Sequence, residues 1–176
     1  MKRLLPYAAL LGAVVALDQV TKAIVSRAME LHEYVPVIDG ILSLSYVRNR
    51  GAAFGVLSDA GLPHQSVLLS ALSLVALVAI AVYFVRLPAA ARMPRIALAL
   101  VLGGAIGNLV DRVRLGYVVD FVHVFWHSHA WPDFNVADSA ITVGVALLVL
   151  DVLRARRGET TPAPGIDATP TPGRID

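Results

Sequence analysis

Two aspartates stand where acid–base chemistry is plausible from their neighbours. Asp120 lies in Val118-Val119-Asp120-Phe121, between apolar residues that restrict water; a carboxyl deprived of water holds its proton more tightly. Asp138 follows Phe134-Asn135-Val136-Ala137 at the start of an apolar run. There Asn135 suits a helix N-cap, and Asp138 suits the third helical position, answering free amides and the helix dipole. On spacing alone, capping and catalysis are both open for Asp138. Two carboxyls that meet cannot both ionise easily, so one keeps a proton while the other accepts one from water. Such a pair hydrolyses peptide bonds. The ionised member activates water for attack on the carbonyl, and the protonated member polarises that carbonyl and helps protonate the leaving amine. The helix N-terminus favours Asp138 as the ionised member, although a coupled pair titrates as a unit.

Other polar residues interrupt apolar stretches. Asp18 and Lys22 are four residues apart, share a helical face and suit a structural ion pair, the reading favoured over direct catalysis. Asn108, Asp111 and Arg112 follow Gly103, Gly104 and Gly107. The small-xxx-small spacing of Gly103 and Gly107 permits close approach of a second helix, and a scaffold role suits the polar cluster after it. Ionisable groups at membrane depth normally face a bundle interior or a wet cavity.

Other chemistries are less well served. A serine–lysine peptidase needs a desolvated, uncharged lysine, but Asp18 offers Lys22 a partner that keeps it charged beside the candidate nucleophiles Ser128 and Ser139. His123, His127 and His129 invite a zinc site, yet no glutamate lies between the first two to act as base, and no metal or other cofactor is expected. The chain contains no cysteine, which removes thiol nucleophiles, thiolate ligands and disulfides. A transporter would spread its acids through the membrane depth, whereas these collect toward one face. A binding or assembly subunit gives no reason for two acids in the outer segments.

The elements that must position these residues are membrane helices. Hydrophobic residues make up 57% of the 176, charged residues 16%, and mean hydropathy is +0.69, too apolar for an ordinary soluble domain. A formal charge of +2 carries no basic stripe of the kind that binds nucleic acid. About 20 apolar helical residues cross a bilayer, and four stretches qualify, near 4–25, 67–85, 96–113 and 136–153. The first lacks a clear small-residue cleavage site and carries Asp18 and Lys22, so it reads as a retained helix. Basic residues gather at Lys2 and Arg3, at Arg86, Arg92 and Arg95, and at Arg154, Arg156 and Arg157. By the positive-inside rule both termini are then cytoplasmic. Residues 26–66 and 114–135 remain outside. Residues 41–47 are rich in strand formers and residues 49–55 in turn formers, which predicts a small extracytoplasmic β-sheet. Tyr117, Phe121, Phe125, Trp126, Trp131 and Phe134 suit anchoring at the interface. The expectation is a polytopic α-helical membrane protein with one embedded domain over 1–157 and a disordered cytoplasmic tail over 158–176.

Five separated motifs, in order, resemble those of the lipoprotein signal peptidases, also called signal peptidase II, over almost the whole chain up to Leu153. They are Asp18-Gln19-Val20-Thr21-Lys22, Asn49-Arg50-Gly51-Ala52-Ala53-Phe54-Gly55, the run from Gly103 through Asn108 to Asp111-Arg112, Val119-Asp120-Phe121, and Phe134-Asn135-Val136-Ala137-Asp138-Ser139. The resemblance implies a bacterial inner-membrane aspartic peptidase that removes signal peptides from diacylglyceryl-modified prolipoproteins, cleaving before the lipidated cysteine. It implies Asp120 and Asp138 as the catalytic pair. Asn49 and Gly51 then line the substrate path, while Asn108, Arg112 and Asn135 orient the site, and Asp18, Lys22, Asp111, Ala137 and Ser139 belong to the surrounding motifs. Membrane lipids are the other expected partners, and the enzyme is expected to act as a monomer.

Overall fold

Four runs of apolar residues fold as helices in the computed structural model, which describes residues 4–51, 65–127 and 129–159. They are α1 (Leu5–Ala28), α2 (Gln65–Arg86), α3 (Arg92–Leu115) and α4 (Val136–Glu159). Each is long and apolar enough to cross a membrane. Each expected span coincides with one of them, the first beginning one residue early at the N-cap Leu4, and three of the helices start or end several residues beyond the apolar run because helical hydrogen bonding continues through polar flanks. α4 continues to Glu159, into the stretch expected to be disordered; the rest of that tail, from residue 160, lies outside the described residues.

α3 is the central helix, packed against the other three, and the most buried. Its glycines explain how. A Cβ on Gly103 would sit 2.9 Å from Val14 Cβ of α1, and one on Gly107 would sit 2.5 Å from the Asp18 carboxylate. A Cβ on Gly104 would strike the Ala137 carbonyl oxygen of α4. Removing the side chain is what lets α1 and α4 approach the α3 backbone. α4 reciprocates through Gly144, whose Cβ would lie 2.6 Å from the Ala97 carbonyl oxygen. The outer faces keep their apolar side chains exposed, including Val20 and Ile24 on α1, Val75 and Val78 on α2, and Val145 and Val149 on α4. Such faces need lipid rather than water.

Between α1 and α2 the chain forms β1 (Tyr34–Ile38) and β2 (Leu42–Asn49); between α3 and α4 it forms β3 (Val118–Trp126) and the short β4 (His129–Ala130). The four strands pair antiparallel in the order β1-β2-β3-β4. Gly40, at φ +76°, provides the turn of the first hairpin. Pro36, which lacks an N–H, stands on edge strand β1 beside a register shift.

The expected sheet was placed on residues 41–47. β3 joins it as well, and β3 carries Asp120. Phe121 accordingly lies in the core with Val25, Tyr46 and Val119, with Tyr117 packed against them, while Trp126 and Trp131 stay exposed as interfacial anchoring requires. The β-branched run from Val118 to Val124 was the available signal; its aromatic neighbours drew the reading toward anchoring instead.

Candidate active site

Asn135 is the residue around which the two aspartates assemble. Its backbone enters α4, and its Oδ1 accepts the Asp138 N–H at 3.0 Å while Asp138 Oδ2 accepts the Asn135 N–H at 3.3 Å. This reciprocal arrangement is a capping box with aspartate at the third position. The capping role read from the sequence is therefore present. It does not exhaust the residue, because Asp138 Oδ1 also accepts from Asn108 Nδ2 at 2.8 Å.

The same Asn135 side chain reaches the sheet. Its Nδ2 donates to Asp120 Oδ1 at 2.6 Å, to the Val119 carbonyl at 3.2 Å and toward Asn108 Oδ1 at 3.2 Å. The chain around Phe134 is stitched to β3, with Phe121 and Val122 N–H groups donating to the Phe134 carbonyl at 3.0 and 2.8 Å. A strand and a helix N-terminus are thereby locked side by side. Asn49 completes the set from β2: it lies opposite Val118 in the ladder, so its side chain shares a face with Asp120 two residues on. Asn49 Nδ2 donates to Asp120 Oδ2 at 2.9 Å, and Asn49 Oδ1 accepts the Gly51 N–H at 2.8 Å.

Asp120 is 2% exposed and Asp138 9%. Burial raises the Asp120 pKa from 3.8 to about 7, opposed by the amide donors Asn49 and Asn135 and assisted by the negative charge of Asp138. Asp120 is thus poised to hold or release a proton near neutrality.

Beneath the pair lies a second layer. Lys22 Nζ is 2.9 Å from Asp18 Oδ2 and 3.0 Å from Asp111 Oδ2, and it donates to Asn108 Oδ1 at 2.9 Å. All three ammonium donors have oxygen acceptors, as a buried lysine requires. Asp18 Oδ1 caps the Ala137 N–H of α4 at 3.0 Å, and Asp111 Oδ2 accepts the Val119 N–H of β3 at 3.1 Å. The ion pair read from the four-residue spacing is real, and it extends to a triad that braces both aspartate-bearing elements. Arg112 Nη2 donates to the Gly51 carbonyl at 3.2 Å and is close enough to Asp138, Asp120 and Asp111 to feel their charge.

All twelve residues singled out from the motifs touch this network, Ser139 only at its margin, through an exposed hydroxyl that donates back to the Asn135 carbonyl at 3.0 Å. That geometry offers no lysine to activate it, and Lys22 is engaged elsewhere. Ser128, together with residues 52–55 of the glycine-rich motif, lies outside the described residues. His123 is on strand β3 and His127 follows it. At about 3.3 Å per strand residue their four-residue separation spans roughly 13 Å, far beyond two ligands on one ion.

Sequence reasoning passed over two participants. Gln19 Nε2 bridges Asp18 Oδ2, the Gly107 carbonyl and Asp111 Oδ1 at 3.2, 3.2 and 2.9 Å. Its signal was an amide next to Asp18 inside an apolar helix. Asp133 accepts from Ser45 Oγ and stands 3.2 Å from His123 Nδ1, tying the approach to Asn135 onto the sheet; nothing in its spacing announced this.

An apolar groove of about 360 Å³ opens beside Asp138, lined by Trp131, Phe134, Ser139, Thr142 and Val143. Its α4 lining comes from the first two turns of that helix.

Membrane-length helices closed at one end by a sheet, with two buried carboxylates at the junction, define the architecture as that of a membrane-embedded protein with a polar site at one end. Comparison with known proteins refines that class. The family model for signal peptidase (SPase) II matches residues 10–154. The chain is 51% identical over 150 residues to the lipoprotein signal peptidase of Geobacter sulfurreducens, covering 85% of this chain and 92% of that one. It is 49% identical over 144 residues to that of Geobacter metallireducens, covering 82% and 88%. A solved bacterial membrane enzyme superposes with a TM-score of 0.80 at 29% identity, over 91% of this chain and 94% of the other. The chain belongs to the signal peptidase II family: it is a multi-pass membrane protein and an aspartic-type signal peptidase.

Proposed function

We propose that this peptidase removes signal peptides from diacylglyceryl-modified prolipoproteins, cleaving before the lipidated cysteine, with Asp120 and Asp138 activating water. The observation that carries the reading is Asn135, whose side-chain amide donates to the buried Asp120 carboxylate while its backbone N–H donates to the buried Asp138 carboxylate. Asp120, buried and titrating near 7, suits the protonated member that polarises the scissile carbonyl. Asp138 accepts from Asn108 and from the Asn135 N–H, an acceptor-only setting suited to the ionised member that takes a proton from water. As the tetrahedral intermediate collapses, a proton returns to the leaving amine. Asn49, joined to both Asp120 and Gly51, holds the edge along which an extended peptide would lie.

The apolar groove beside Asp138 supports a lipid-bearing substrate, since acyl chains can approach along α4 without leaving the hydrocarbon while water arrives from the sheet end. In this reading the enzyme is a monomer in the bacterial inner membrane, with both termini cytoplasmic and the sheet on the outer face.

Paired substrates test it. A prolipoprotein carrying the diacylglyceryl group and the same precursor with an unmodified cysteine are presented to the purified enzyme. Cleavage of the lipidated form alone, before the cysteine, is expected; equal rates on both would overturn the substrate assignment.

A further inference from the structure

A cavity of about 190 Å³ with mixed polar and apolar walls, Lys22 of the triad among them, lies between the last turns of α1 and α3. Its lining includes Gln19, Ser26, Arg27, Asp111 and Arg114. At about 30 Å³ per water it has room for several waters or one small polar group. Arg27 and Arg114 are exposed, and neither has a carboxylate within salt-bridge distance among the described residues. Two neighbouring guanidiniums are engaged: Arg112 donates to Gly51, and Arg48 stacks over Tyr46 and Tyr117 at 5.6 and 4.9 Å.

Each arginine alone suits its helix C-terminus, where carbonyl dipoles favour a cation. That does not explain why two converge on one cavity. The surface just below is hydrocarbon-facing: Val20 and Ile24 of α1 and Val113 of α3 are all exposed. A pair of guanidiniums over apolar helix surface, at the depth where the spans end, matches a phosphodiester over acyl chains, and guanidinium forks fit phosphate oxygens well. Asp111 on the floor would repel the phosphate from going deeper, keeping it at the mouth between the arginines.

We propose that the cavity between the ends of α1 and α3 is a binding site for the headgroup phosphate of an anionic phospholipid, held by Arg27 and Arg114. The site is separate from the apolar groove beside Asp138, and a diacylglyceryl thioether, having no phosphate, is not its ligand. The bound lipid would lean on the outer wall of the triad that braces the aspartates.

The full-length protein is reconstituted in phosphatidylcholine vesicles containing a trace of phosphatidylglycerol with a photoreactive diazirine near its glycerol backbone. After irradiation, labelled peptides are mapped. Wild type is expected to be labelled within residues 19–27 and 111–115, with the label competed by unlabelled phosphatidylglycerol and not by inorganic phosphate. The double variant Arg27→Gln with Arg114→Gln should lose that label at least tenfold while keeping label near Arg86 at the opposite end. Should the double variant fail to fold, Arg27→Gln and Arg114→Gln separately should each lose it several-fold. Undiminished labelling in the folded variants would overturn the site. Competition by inorganic phosphate as effective as by lipid would make it a small-anion site and overturn the lipid assignment.

Discussion

At the scale of single residues, the site depends on a few buried polar groups with every partner in place. Asp120 illustrates the consequence for pH. Its pKa in the fold, about 7, exceeds the ordinary 3.8, mainly through burial. The folded state therefore binds more protons than the unfolded state between these values, and this group's contribution falls as pH rises from about 4 through 7. Asp120→Asn removes the titration. The melting temperature of the variant, relative to wild type, is expected to be higher at pH 8 than at pH 5; an unchanged difference would contradict the raised pKa. Activity should likewise decline above about pH 7, as the proton-donating member ionises. Lys22 shows the opposite dependence on company. Lys22→Met leaves Asp18 and Asp111 buried without their cation, and breaking such a pair costs about 3–5 kcal/mol. Chemical denaturation in detergent should register a loss of that order, and a near-neutral change would show the triad to be dispensable.

At the scale of elements, a strand and a helix start must be held in fixed register. Gly104 faces α4, where a Cβ would meet the Ala137 carbonyl and the Ile141 side chain. Gly104→Ala should push α4 outward, cost about 1–3 kcal/mol and lower turnover more than it lowers stability at working temperature, because Asp138 follows Ala137 directly. A crystal structure or cross-link distances unchanged from wild type would contradict this. The elements also show what the sequence made legible. Spans, the close-packing glycines and the Asp18–Lys22 pair follow from local rules of hydropathy, size and helical spacing, and all three hold. β3 was harder to read, since its aromatics serve equally for an interface belt or a core, and burial on one face of a sheet is decided by partners far along the chain. The Asn135 bridge was legible only as a helix cap; that the same amide also donates to Asp120 depends on the Phe134 pairing with Val122, a tertiary contact with no local signature. The reach of Gln19 and Asp133 into the framework was hidden for the same reason.

At the scale of the whole molecule, four spans put both ends of the bundle's chain on one side and the sheet on the other. The absence of native cysteine makes the proposed orientation simple to test. In intact cells with a permeable outer envelope, Asp39→Cys in the β1–β2 turn should react with a membrane-impermeant maleimide, and Ala90→Cys between α2 and α3 should react only after lysis. The reverse pattern would invert the topology. The apolar groove opens beside one of the two carboxylates, Asp138, as the proposed hydrolysis of a peptide whose neighbour is a lipid requires. The most direct measurement is therefore cleavage of a diacylglyceryl-modified prolipoprotein by the purified wild type and by the separate Asp120→Asn and Asp138→Asn variants, each shown to be folded. Both variants should lose turnover by about a thousandfold or more, in line with loss of a general acid or base worth ~10²–10⁴; wild-type turnover in either would contradict the aspartate pair as the catalytic centre.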